Sequence, residues 1–337
     1  MHKETLLISG ATGFSGKYHI EKAINDGYSV IGVARDAERL RQLETEYPDF
    51  IGRSCDLAAL DSEIYQVLQE HQPHLLIHLA AIVYQGEHNT PGLTLRNNGL
   101  STLSVLEAAR LYSNDTRVLI TTSAAIYGGK TGRKDESSPV QSKDAYSASK
   151  IFDRVLKDAY SRQFGLDVVE AVVYNHNGPG RVTGIHPTIV KTMVKAKLTG
   201  QDTVDLKIPS LQYARDVQHV ANWADASMTI LQYGMTGEAY NVCSGEDLTL
   251  EAFIDELARQ TGVSPSVITD PSITKFGPDI VSGGNNQKLR ALNWEPKKQL
   301  PDLIRDMMSF WTDKLSREPA GLVMNSKEVI YDSSRKY

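Results

Sequence analysis

Tyr146 and Lys150 stand four residues apart in Tyr146-Ser147-Ala148-Ser149-Lys150. On a helix that spacing puts them on one face, a turn from each other. An ammonium beside a phenol favours phenolate, so the pair suits proton exchange with an alcohol or carbonyl oxygen near neutral pH. A hydroxyl precedes them in Ser123-Ala124-Ala125-Ile126-Tyr127-Gly128. A serine at the carboxyl end of a parallel strand would lie in the ligand crevice of an open sheet and could orient that oxygen.

The elements that must position these groups are legible upstream. Residues 5–9 form a short apolar run fit for a strand buried on both faces. It leads into Gly10-Ala11-Thr12-Gly13-Phe14-Ser15-Gly16 and then a helical pattern. Strand, glycine turn and helix in succession make a dinucleotide site. Gly10 permits the turn, Gly13 admits a pyrophosphate to the helix N-terminus, and Gly16 allows close helix–strand packing. Thr12, Phe14 and Ser15 in the same turn complete the candidate contacts.

The second strand, 29–34, ends in Ala34 and Arg35. A carboxylate there would favour NAD(H), whereas an arginine suits the 2′-phosphate of NADP(H). NADP(H) is therefore the preferred cofactor. NAD(H) stays open because Asp36 follows. Asp56 and Leu57 close a third strand at 51–55, placed for an adenine. A fourth strand at 75–81 ends in Leu79-Ala80-Ala81, small enough to let a flat cofactor cross. His78 within it is a core histidine. Asn98 lies on a helix expected at 95–111, and a fifth strand spans 117–122. Alternation of this kind gives an α/β fold, a Rossmann-type doubly wound parallel sheet.

In order and spacing, the glycine turn, Asp56, Leu79-Ala80-Ala81, Ser123, Tyr146 and Lys150 resemble the extended short-chain dehydrogenase/reductase family. The branch is the one acting on nucleotide sugars, and the resemblance runs from residue 5 to about 312. It implies that Tyr146 is the proton donor or acceptor. Lys150 would bind the nicotinamide ribose and support Tyr146, and Ser123 would hold the substrate oxygen. Dehydratases of this branch carry acidic residues beside that serine, where this chain has Ala124 and Ala125. Reductase and epimerase remain. The run Asn175-His176-Asn177-Gly178-Pro179-Gly180 is similar to that of the GDP-mannose dehydratase and GDP-4-keto-6-deoxymannose reductase subgroup. Asn175, His176 and Arg215 would then face the sugar nucleotide, with Lys275 where the family usually has a second diphosphate-binding arginine. His176 could equally be structural, and Asp216 reads as a loop-fixing residue.

The resemblance implies an NADP-binding Rossmann domain over 1–175 with a returning helix and strand at 216–243. A smaller mixed α/β substrate domain at the C-terminal end takes 176–215 and 244–312, and 313–337 is a tail without motif. It also suggests a homodimer through helices at 95–111 and 144–163.

Composition sets the outer bounds. The chain has 337 residues, a net charge of -5 and 41% hydrophobic residues. That mild acidity points to no nucleic-acid or membrane partner. Cys55 and Cys243 are the only cysteines and lack metal-site spacing, so no metal is expected and a cytoplasmic setting is. Residues 1–4 run straight into the first strand without the apolar length of a signal peptide.

Overall fold

The computed structural model describes residues 3–83, 90–128, 132–273 and 283–317. Lys275 and the end of the tail, 318–337, lie outside them. The first half alternates strands and helices. These are β1 (Thr5–Ser9), α1 (Phe14–Asn25), β2 (Ser29–Ala34), α2 (Ala37–Glu46), β3 (Phe50–Ser54), α3 (Ile64–His71), β4 (Leu75–His78), α4 (Pro91–Tyr112), β5 (Arg117–Ser123), α5 (Ala145–Phe164) and β6 (Val168–Val173). With a later strand they build one seven-stranded parallel sheet in the spatial order seventh, β6, β5, β4, β1, β2, β3. The strand order reverses between β1 and β4, and that switch point opens the ligand crevice of a doubly wound sheet.

Leu6, Leu7, Ile8, Leu76, Ile77, Val118, Leu119 and Ile120 are all fully buried, as strands covered by helices on both faces require. Two elements depart from the periodicity. The fourth helix starts at Pro91 rather than at 95, because the Thr90 side chain accepts from Leu93 N and Pro91 is preset for a first turn. Those residues precede the apolar repeat and leave no periodic signal. The fourth strand ends at His78, so Leu79, Ala80 and Ala81 form its exit, not its last residues.

The second half begins with β7 (Asn175–Asn177), α6 (Ile185–Leu198), β8 (Thr203–Ile208), β9 (Ala214–Arg215), β10 (Val217–His219) and α7 (Val220–Tyr233). Then β11 (Ala239–Val242) returns to the main sheet beside β6. Beyond it come β12 (Leu248–Thr249), α8 (Leu250–Thr261), β13 (Ser264–Thr269), α9 (Gln287–Arg290) and α10 (Leu300–Ser316). Helices α6, α8 and α10 share a separate apolar core with β8, built on Ile189, Met193, Leu206, Phe253, Leu257, Ile304, Met307 and Trp311. Helix α10 runs past 313 because Leu315 still packs on this core. Short β7 pairs with β10, and β9 with β12, bringing residues 175–177 and 214–219 together.

Candidate active site

The glycine turn sits at the switch point. Gly10 has φ +72, and a Cβ there would come within 2.8 Å of Ala80 N. The turns after β1 and β4 therefore touch, which needs glycine on one side and a small residue on the other. A Cβ on Gly16 would stand 2.3 Å from the Ala11 carbonyl oxygen, so helix α1 is pressed onto its own turn. Gly13 caps α1 without a side-chain hydrogen bond, and no acidic residue occupies the first turn. A helix start with neither a side-chain cap nor an acidic residue suits an anion, so the turn fits a dinucleotide diphosphate.

Around this turn the cofactor candidates divide by their bonds. Arg35 is exposed just past β2, while the Asp36 carboxylate caps α2 by accepting from Arg39 N at 2.9 Å. Asp56 is exposed and accepts from Ala58 N at 3.1 Å, and Leu57 is buried beneath it. Leu79, Ala80 and Ala81 are part-buried. Asn98 is buried and its amide clasps the chain after β4. It accepts from Ile82 N at 2.7 Å and donates to Ile82 O and Ser149 Oγ, both at 3.0 Å. It therefore ties the exit of β4 to helix α5. His78 is a core histidine as expected: it bonds Ser9 Oγ at 2.7 Å and Thr102 Oγ1 at 3.1 Å. Burial, with the Lys150 charge adding, pushes its pKa down to about 3.

Helix α5 carries the candidate proton-transfer pair. Asp144 and Ser147 form a reciprocal capping box at its start, bracketing Tyr146. Tyr146 is part-buried, whereas Lys150 is only 3% exposed. The Lys150 ammonium donates to Thr121 O on β5 at 2.9 Å and to Asp153 Oδ2 at 3.0 Å. Burial works against its charge, but Asp153, Tyr146 and Glu170 outweigh burial and hold its pKa above the ordinary lysine value. Lys150 thus anchors α5 two residues before Ser123. The Ser123 hydroxyl accepts from Ala125 N at 3.2 Å and starts a 3-10 turn over Ala124–Ile126.

Farther along the same helix, Arg154 makes a fork onto fully buried Glu170 of β6, at 2.8 to 2.9 Å. Lys157 stands 3.4 Å from the other side of that carboxylate. This pairing locks α5 against the sheet and so fixes the height of Tyr146 and Lys150 over the crevice.

At the end expected to face the sugar nucleotide, exposed Asn175 donates to Asp216 O at 3.4 Å. His176 points back to the glycine turn. Its Nδ1 bonds Tyr174 O at 3.1 Å, its Nε2 lies 2.9 Å from Ser15 Oγ, and its ring stacks on Phe14. Because a carbonyl takes only a donor, Nδ1 carries the proton and Nε2 accepts from the Ser15 hydroxyl. Burial pushes the His176 pKa down to about 4, with Arg181 adding. Arg215 lies over the Tyr213 ring at 4.2 Å and donates to Ala214 O. Asp216 is the loop-fixing residue expected: fully buried, it accepts from Ser244 N, Ser244 Oγ and Gly245 N at 2.8 to 2.9 Å.

One cation was missed. Arg181 lies 5.4 Å from the Phe14 ring and close enough to Tyr146 to feel its charge, while burial lowers its pKa. Its signal was a basic residue directly after Gly178-Pro179-Gly180. Among the described residues no group of three His, Cys, Asp or Glu could hold a metal, and no helix is long and apolar enough to cross a membrane.

Comparison with known proteins gives the kinship of the chain. Residues 7–307 match the family model described as GDP-mannose 4,6 dehydratase. The GDP-6-deoxy-D-mannose reductase of Pseudomonas aeruginosa is 24% identical, with 94% of this chain and 99% of that protein aligned. A dTDP-glucose 4,6-dehydratase of Xanthomonas campestris is 30% identical over 71% of this chain and 70% of its own. Among solved structures, RMD from Pseudomonas aeruginosa complexed with NADPH superposes with a TM-score of 0.75 at 22% identity. That match covers 92% of this chain and all of the other. The UDP-glucose 4-epimerase of Thermotoga maritima gives 0.79 at 20% identity, over 92% and 99%. The structural likenesses establish the fold, and the family match carries the kinship. The chain belongs to the GDP-mannose 4,6-dehydratase family, in the nucleotide-sugar branch of the extended short-chain dehydrogenases/reductases.

Proposed function

We propose that the protein is an NADPH-dependent reductase of a nucleotide-linked 4-keto-6-deoxyhexose, GDP-linked as in the reductase it resembles. The observation that carries this reading is the 3-10 turn after Ser123. Its first two residues, next to Ser123, are Ala124 and Ala125, where the dehydratases of this branch carry acidic residues for the elimination of water. A reduction needs only one proton donor. Bound nicotinamide supplies a hydride to the keto carbon. Ser123 and Tyr146 hold the keto oxygen, Tyr146 gives it a proton, and the Lys150 ammonium stabilises the charge that develops. Asn98 and the Arg154–Glu170 pair keep the strand exits and α5 in register for that transfer.

Exposed Arg35, with Asp36 engaged as a helix cap, supports NADP(H) over NAD(H). Structural neighbours have been solved with NADPH and with NAD, so the preference rests on Arg35 and Asp36. Arg215 and Asn175 take the nucleotide diphosphate and sugar, in a substrate domain of 176–215 and 244–312 set on a cofactor domain of 1–175 and 216–243. Apolar side chains left exposed on α4 and α5, among them Leu93, Leu95, Phe152, Val155 and Phe164, support a homodimer through those helices. The thiols of Cys55 and Cys243 are free and buried, in keeping with a cytoplasmic setting.

Incubation with NADPH and a GDP-4-keto-6-deoxyhexose tests the reading. Loss of NADPH absorbance in step with alcohol formation is expected. Interconversion of sugar epimers without net cofactor oxidation would show an epimerase instead.

A further inference from the structure

We propose that Asp153 is a positioning residue for the proton transfer, holding the Lys150 ammonium so that only one of its N–H groups is left for the crevice. The proposal rests on the reading of Lys150 as part of the active site.

An ammonium has three N–H donors. Asp153 Oδ2 takes one and the Thr121 carbonyl takes another. The tether is internal to α5: Tyr146 lies one turn before Lys150, and Asp153 three residues after it, so both fall on the Lys150 face. Asp153 is 1% exposed and Lys150 3%, so water screens neither charge.

The other buried carboxylates of this chain show what a purely structural one looks like. Asp216 accepts from three donors, and Glu170 is held by Arg154, Lys157 and Thr122. Asp153 takes Lys150 alone, and its Oδ1 has no partner among the described residues. A carboxylate so placed secures little besides that ammonium. A buried ion pair of this kind adds little net stability over an apolar pair, so its value lies in what the charge does.

Asp153 makes the positive charge of Lys150 tolerable in a dry site and fixes its direction. The groups facing Lys150 are Tyr146 and Asp153 on its own helix, Glu170 on β6 and neutral His78 on β4. Arg154 and Lys157 already engage Glu170, which leaves Asp153 as the dedicated counter-charge. Removing its negative charge lets every proton nearby leave at lower pH.

Asp153→Asn keeps the shape and removes the charge. The expected result is a fall of about 10-fold or more in kcat, with KM for the sugar nucleotide within about 3-fold of wild type. The alkaline limb of kcat should move about one pH unit lower. A second readout needs no turnover: the loss of NADPH affinity at alkaline pH, followed by fluorescence on the unloaded protein, should move down by a similar amount. Asp153→Ser, smaller and also neutral, must give the same displacement and covers the case in which the amide disturbs the fold. Wild-type pH profiles in a folded variant would overturn the proposal. Lys150→Ala separates the two levels. If it is inactive while the Asp153 variants match wild type, only Asp153 loses its role. If Lys150→Ala is itself fully active, the reading of the active site falls, and this proposal with it.

Discussion

The two ends of the crevice are built by different means. At the proposed cofactor end the backbone sets the shape. A glycine turn at φ +72, an uncapped helix N-terminus and two abutting strand exits leave no space for a Cβ at Gly10, Gly13 or Gly16. At the sugar end the candidate contacts are side chains on strands of two or three residues, Asn175 on β7 and Arg215 on β9. Backbone sites demand particular residues at particular spacings, whereas side-chain sites tolerate many solutions. The first end is accordingly general to dinucleotide enzymes, and the second is where, on the proposed function, this chain would set its substrate. In the proposed function Tyr146, Ser123 and Lys150 serve both.

That division is sharpened by variants whose effects should fall on one end only. Tyr146→Phe should have the largest effect, a loss of about 10³-fold in kcat with NADPH affinity within about 3-fold of wild type, measured by turnover and fluorescence titration. An equal loss of cofactor binding would mean that the phenol belongs to the cofactor end alone. Arg215→Met should raise KM for the sugar nucleotide by about 10- to 100-fold through loss of charge-assisted hydrogen bonds, leaving NADPH affinity intact. Arg35→Ala should do the reverse and cut the preference for NADPH over NADH by about 10-fold. If either variant affected both ligands alike, the two ends would not be separable.

The smallest effect is on stability. Burial pushes His19, His78, His176, His186 and His219 down to about 4, 3, 4, 4 and 4. In the unfolded chain they take up protons near pH 6.5. These groups make no difference above that pH. As pH falls from about 6.5 towards 4, the unfolded state binds protons that the folded state refuses, so stability drops. Urea midpoints should decline steadily between pH 7 and pH 5. A flat profile would show that these rings are not held neutral.

The same contrast explains what the amino-acid sequence discloses. Residues 5–9, 29–34 and 75–78 announce strands because a doubly covered sheet accepts little but aliphatic side chains. Gly10, Gly13 and Gly16 announce the turn because a Cβ on any of them meets backbone within 3.1 Å. Ser123, Tyr146 and Lys150 are legible through their order along that frame. His176 was not legible: one ring can serve either the sugar or the glycine turn, and only the pairing of β7 with β10 directs it to Ser15 and Phe14. Arg181 and Asp153 escaped because an isolated cation after a loop and an acid within a polar helix resemble solvated residues. Folding brings one over Phe14 and buries the other beside Lys150. Lys275 lies outside the described residues, so the second diphosphate contact stays a sequence expectation.

The central claim of the proposed function is that hydride from NADPH passes to a sugar ketone and stays there, instead of returning to the cofactor as in an epimerase. Turnover with NADPH deuterated at the transferred position tests it most directly, by mass spectrometry of the sugar nucleotide formed. One deuterium retained at the former keto carbon, with one NADP⁺ released per alcohol, is the predicted result. An unlabelled product, or epimerised sugar with the cofactor pool unchanged, would contradict the account.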